Sequence, residues 1–132
     1  MDRILIVDDT EMSRELLAEL LEDKYEVVFA RNGREALHIL SIQMGGITAV
    51  LLDLLMPEMN GYEFLMEIRD RKWDSRFPVI VISGDDSESS KEICEELGVN
   101  HYICKPYRHR EALAEIASAI KEYNERQNAT RQ

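Results

Sequence analysis

Five short apolar runs, each followed by an amphipathic segment, constrain this chain more than any other feature. The runs are RILIVD at 3–8, YEVVFA at 25–30, TAVLLD at 48–53, FPVIVIS at 77–83 and HYICK at 101–105. Three of them are nearly continuous in Val, Ile and Leu, the pattern of strands buried on both faces of a parallel sheet. YEVVFA and HYICK are weaker and read as edge strands. Between the runs, apolar residues recur at helical spacing. They are Met12, Leu16, Leu17, Leu20 and Leu21 over 11–22, then Ala36, Leu37 and Leu40 over 33–43, with Asn32 as N-cap. Phe64, Leu65 and Ile68 follow over 61–71 behind Asn60. Ile93 and Leu97 follow over 86–97, with Gly98 where a C-terminal glycine stops a helix. The last segment, 108–125, carries Leu113, Ile116, Ala117, Ile120 and Tyr123. Strict alternation predicts an α/β fold, (βα)5, with one parallel sheet, helices on both faces and right-handed crossovers.

At 132 residues, one domain can enclose a core without metal or disulfide staples. Residues 1–125 are read as that domain, placed N-terminally by Met1. Residues 126–132, RQNATRQ, lack apolar periodicity and are read as a polar C-terminal tail, a frayed helix end or a truncated linker. Asp plus Glu outnumber Lys plus Arg by 26 to 16, for a net charge of -10. That balance argues against nucleic-acid binding by this domain and suits a cation or a basic partner. No apolar run approaches a membrane span, and the N-terminus lacks a signal-peptide pattern. The chain is therefore expected to be cytoplasmic, with no membrane partner, and Cys94 and Cys104 to be free thiols.

Ligands of open parallel sheets bind at the C-terminal ends of the strands. Here the first run ends in Asp8-Asp9, the third in Asp53, the fourth in Ser83-Gly84 and the fifth in Lys105-Pro106. Singly, each has an ordinary reading: turn acids and an N-cap, a loop Asp, a Ser-Gly turn, a solvated lysine. Jointly they are the groups that hold a hard divalent cation and move a phosphoryl group. Mg2+ takes carboxylate and water oxygens. An Asp can act as nucleophile, while an ammonium and a hydroxyl meet the charge on the phosphoryl oxygens.

The motifs ILIVDD, VLLDLLMPEMNGYEFL, PVIVISG and YICKPY, in this order and spacing, make residues 3–123 resemble the receiver domain of two-component response regulators, such as the chemotaxis regulators. The resemblance implies the flavodoxin-like sheet order 2-1-3-4-5, which periodicity alone does not give. It implies that Asp53 is the phosphoacceptor. It also implies that Asp8, Asp9 and Asp53, with the backbone carbonyl of Leu55, hold Mg2+ or Mn2+. Ser83 and Lys105 correspond to the hydroxyl and lysine that meet the phosphoryl group, and Lys105-Pro106 to a cis peptide. Tyr102 corresponds to the aromatic switch residue. Leu55 and Asp85 fall at variable positions that tune the lifetime of the phosphorylated form.

The implied function is that of a phosphorelay receiver. A sensor histidine kinase or histidine phosphotransfer protein is the donor. The fourth helix, fifth strand and fifth helix form the face that an output domain or partner reads, and a phosphorylation-dependent homodimer is compatible with it. Such a chain would not be a turnover enzyme on outside substrates. Two rivals stay open on the residues alone. A dehalogenase-type phosphatase needs a D-x-D nucleophile motif, where this chain has adjacent acids. A flavodoxin-like cofactor binder needs a Ser/Thr/Gly-rich loop after the first strand, where Asp8 and Asp9 would repel a phosphate. A pseudo-receiver that only docks partners is a third.

Overall fold

The computed structural model describes residues 1–131, with side chains through 129; residue 132, the last of the expected tail, lies outside the described residues. Strands β1 (Arg3–Val7), β2 (Glu26–Ala30), β3 (Ala49–Leu52), β4 (Val79–Ser83) and β5 (His101–Cys104) alternate with five helices. These are α1 (Glu11–Leu21), α2 (Gly33–Gln43), α3 (Gly61–Asp70), α4 (Glu88–Glu96) and α5 (His109–Arg131). Every strand pairing is parallel and the order is β2-β1-β3-β4-β5. This is the flavodoxin-like (βα)5 architecture, with YEVVFA and HYICK at the two edges.

The two-residue period of the strands sorts their side chains onto two faces. Leu5, Val7, Val50, Leu52 and Val81 pack with α2, α3 and α4, around the buried Leu40, Phe64 and Ile68. Ile4, Ile6, Leu51, Ile80 and Ile82 pack with α1 and α5, around Leu17, Leu21 and Ile116. Each such side chain contributes about 1.5–3 kcal/mol on burial, so the central strands tolerate no polar residue until they reach their C-terminal ends.

The caps behave as the sequence predicts. Asn32 accepts the Glu35 N–H at 2.8 Å, and Asn60 forms a capping box with Glu63. Gly98 adopts φ +91° beyond α4, a conformation that suits glycine. Helix α4 begins at Glu88 rather than 86, because the Ser87 hydroxyl caps the Ser90 N–H at 3.2 Å.

Some expected core positions point elsewhere. Met12 and Leu16 are 75% and 51% exposed, while Leu17, Leu20 and Leu21 fill the interior. Ile93 is also exposed, and Cys94 and Ser90 take the inward side of α4. On α5 the exposed Ala117 yields to Ala112 and Ala119. Helical periodicity marks adjacent stripes, and only packing against the sheet selects between them. A 3-10 turn at Met44–Gly46 has no counterpart in the sequence reading. Helix α5 runs past 125 to Arg131: no Pro or Gly breaks the run, and Arg, Gln and Ala there are good helix formers. It is fixed to the body by the Tyr123 hydroxyl, which donates to the Ser75 carbonyl at 3.1 Å. His101 of β5 adds a second fixing, with Nδ1 2.9 Å from Glu115 and Nε2 facing Glu122.

Candidate functional site

Parallel pairing delivers four strand ends to one edge. The Asp8 N–H donates to the Ala30 carbonyl at 3.0 Å, and the Asp53 N–H donates to the Val7 carbonyl at 2.9 Å. Both acids therefore leave the sheet with their backbones still in the ladder, and their positions are fixed by it. Carboxylate oxygens of Asp8, Asp9 and Asp53 all lie within 4.8 Å of one another. Asp8 is 1% and Asp53 8% exposed.

The Asp8 carboxylate is closely bound by α1 and the turn before it. Its Oδ1 accepts the Thr10 N–H at 3.0 Å and the Thr10 hydroxyl at 3.2 Å. Its Oδ2 accepts the Ser13 hydroxyl at 2.5 Å, and Arg14 donates to the Asp8 carbonyl at 2.8 Å. Asp53 accepts the Leu55 N–H at 3.2 Å, while the Leu55 side chain turns to solvent. The Lys105 ammonium stands 3.6 Å from Asp8 and 3.9 Å from Asp53. The peptide between Lys105 and Pro106 is cis.

Burial pushes the Asp53 carboxyl above its ordinary range, and the Asp8 and Asp9 charges push the same way; the Leu55 N–H and Lys105 oppose them. Three carboxylates thus face one ammonium, two of them out of water. The donor set is all oxygen, and the repulsion within it is what a divalent cation relieves, so these residues fit Mg2+.

Ser83 is fully buried at the end of β4. Its carbonyl accepts the Lys105 N–H at 2.8 Å, which ties β5 to β4 at this edge. Its hydroxyl oxygen accepts the Asp85 N–H at 3.2 Å. The Asp85 carboxylate turns away to accept the Ser87 N–H, and that bond lowers its pKa. Tyr102 is half-buried against the core, and its hydroxyl donates to the Asp85 carbonyl at 2.5 Å. The same hydroxyl lies 3.2 Å from Ser90, and Ser90 lies 2.6 Å from the Tyr62 hydroxyl. Burial raises the Tyr102 phenol; Ser90 and Ser83 oppose that shift.

Several residues here escape a reading of strand ends. Ser13 and Arg14 lie on the first turns of α1, where only their distance from Asp9 hints at a role. Ser90 sits inside the polar run ESSK, which carries no periodic signal. Gly61 is a packing glycine. A Cβ there would meet the Leu54 Cα at 2.7 Å and the Asp53 carbonyl at 2.8 Å, so α3 presses directly on the loop that holds Asp53.

A 2-1-3-4-5 parallel sheet with an acid cluster, a buried serine and a lysine at its C-terminal edge defines a signalling receiver. The family model for the response regulator receiver domain matches residues 4–117, and the chain belongs to that family. It is a receiver domain of the two-component response regulators. It is 39% identical to YkoG, an uncharacterised transcriptional regulatory protein of Bacillus subtilis, over 97% of this chain and 53% of that one. The chain spans about half the length of the curated relatives it matches. The chemotaxis protein CheY4 of Vibrio cholerae superposes with a TM-score of 0.82 at 27% identity, covering 90% of this chain and 98% of that one. CheY of Borrelia burgdorferi, solved with CheX, BeF3 and Mg2+, gives 0.81 at 28% identity, covering 89% and 87%. No helix among the described residues is long and apolar enough to cross a membrane.

Proposed function

We propose that Asp53 accepts a phosphoryl group from the phosphohistidine of a kinase or phosphotransfer protein. The single observation that carries this is the buried Asp53 carboxylate facing Asp8, Asp9 and Lys105. An Asp53 oxygen attacks phosphorus, the new O–P bond forms as the N–P bond breaks, and the leaving imidazole keeps the bonding pair and takes up a proton. Lys105 offsets charge on the transferred group, and Ser83 offers it a hydroxyl. Asp8, Asp9 and Asp53, with the Leu55 carbonyl, are the oxygens that would hold Mg2+ or Mn2+. A divalent ion there supplies charge neutralisation to the phosphoryl oxygens. The relative crystallised with BeF3 and Mg2+ supports this assignment by likeness.

Ser83 and Tyr102 serve as the switch in this reading. When the Ser83 hydroxyl swings to donate its proton to the phosphoryl group, its oxygen moves with it, and because that oxygen accepts the Asp85 N–H the movement pulls on the loop that Tyr102 grips. The outcome is a changed face on α4, β5 and α5 for an output domain, a partner or a second receiver. Leu55 and Asp85 flank the approach and set how long the phosphoryl group lasts. The domain is taken as residues 1–125, with 126–132 as a polar tail or linker, and the setting as the cytoplasm. It transfers no group to outside substrates and binds neither nucleic acid nor membrane.

The test is incubation with acetyl phosphate and Mg2+, followed by intact-mass measurement. Wild type gains one phosphoryl group and Asp53→Asn gains none. Absence of gain in wild type, or equal gain in both, overturns the reading.

A further inference from the structure

We propose that Ser13 is a positioning residue, tethering Lys105 beside Asp8 so that its ammonium is in place before the phosphoryl group arrives. The inference rests on the phosphoacceptor reading of Asp53. Donor counting fixes the direction of the bonds. An ammonium only donates, so Lys105 Nζ donates to the Ser13 oxygen at 3.2 Å. The Ser13 hydroxyl has one proton, and the acceptor 2.5 Å away is a carboxylate oxygen of Asp8. The result is a directed path from Lys105 through Ser13 to Asp8.

Distance makes this path decisive. Lys105 is 3.6 Å and 3.9 Å from the two carboxylates, beyond hydrogen-bond range of either. Charge alone would leave the end of a flexible four-carbon stem free to swing. The Ser13 oxygen is a directional acceptor within range, and it is carried by α1 rather than by a loop. Asp8 does not depend on Ser13 in the same way, because two bonds from Thr10 hold its other oxygen. Loss of the Ser13 hydroxyl therefore acts mainly on Lys105.

The experiment compares wild type, Ser13→Ala, Ser13→Thr, Lys105→Ala and the double variant Ser13→Ala/Lys105→Ala. Initial phosphorylation by acetyl phosphate slows about tenfold in Ser13→Ala, the loss expected for one hydrogen bond to a charged group. Ser13→Thr keeps the hydroxyl and restores most of the rate. In the double variant the serine change adds nothing to Lys105→Ala, since it acts through the lysine. Mg2+ affinity by calorimetry stays close to wild type. A wild-type rate in Ser13→Ala, multiplied effects in the double variant, or a loss of Mg2+ affinity matching the loss of rate overturns the inference. A readout without phosphate completes the design: labelling of the Lys105 amine by an acetylating reagent, followed by peptide mass. Faster labelling in Ser13→Ala shows the tether, and unchanged labelling overturns it. Failure of wild type to phosphorylate overturns the Asp53 reading instead, and the labelling result still decides the tether.

Discussion

Asp53 is held where its charge is costly. Burial and two neighbouring acids raise its pKa, so the folded chain binds its proton more tightly than the unfolded chain does. Between the unfolded value and the raised folded value, the native state holds more protons and stability falls as pH rises; the penalty persists above that window. Asp53→Asn removes the charge and is expected to raise the thermal midpoint at neutral pH. The gain should shrink and vanish as pH drops below the ordinary carboxylate range, where both forms are neutral. Melting curves from pH 3 to 8 without divalent ions check this, and a midpoint for Asp53→Asn below wild type at pH 7 contradicts it. At this scale the sequence was legible wherever a strand ended. Asp8, Asp9, Asp53, Ser83 and Lys105 were visible as a set, because each alone reads as an ordinary turn or surface residue but four strand ends together carry the groups that one chemistry uses. Ser13 was not, because a serine in a polar helical stretch looks the same whether it faces solvent or a lysine.

Among the elements, one hydrogen-bond path joins α3, α4 and β5. Tyr102 donates to the Asp85 carbonyl, so its oxygen must accept from Ser90, and Ser90 in turn must accept from Tyr62. Each hydroxyl donates to the next, and the path ends on the residue whose N–H grips Ser83. Ser90→Ala leaves the Tyr62 proton and a Tyr102 lone pair without their partner at a position 2% exposed. The expected cost is about 1–3 kcal/mol, against about 1 kcal/mol or less for Tyr62→Phe, which removes only the first donor. Urea unfolding of the two variants measures the order; equal or reversed costs would mean that the path is not directed this way. The existence and type of the five strands and five α-helices were readable from periodicity, whereas the 3-10 turn at Met44–Gly46 was not. Facing was readable only in part: Met12, Leu16 and Ile93 lie on apolar stripes that the sheet leaves uncovered. Tertiary packing makes that choice, and spacing within one helix does not contain it.

The molecule as a whole gathers its site from four separate connections, so cation binding and folding are linked. An ion that binds the assembled Asp8, Asp9 and Asp53 has no comparable site in the unfolded chain. Mg2+ at about a hundredfold over its dissociation constant should stabilise the fold by about 2.7 kcal/mol. Asp9→Asn should lose most of that response while keeping the fold. Denaturant curves with and without Mg2+ test this, and an Mg2+ response of full size in Asp9→Asn would refute it. The sheet order, by contrast, came from family resemblance, since alternation alone permits more than one winding.

The length of α5 has a mechanical consequence. Its 23 residues make a rod of about 35 Å at the helical rise. Ala112 and Ile116 seat its first half on β5 and its neighbours, close to Lys105. A tilt of about 5° about that seat carries the distal end through roughly 2–3 Å. The Tyr123 bond to Ser75 and the His101 contacts with Glu115 and Glu122 act as brakes on that swing. A displacement too small to notice at the fulcrum thus becomes, at the far end of the arm, one large enough to make or break a contact.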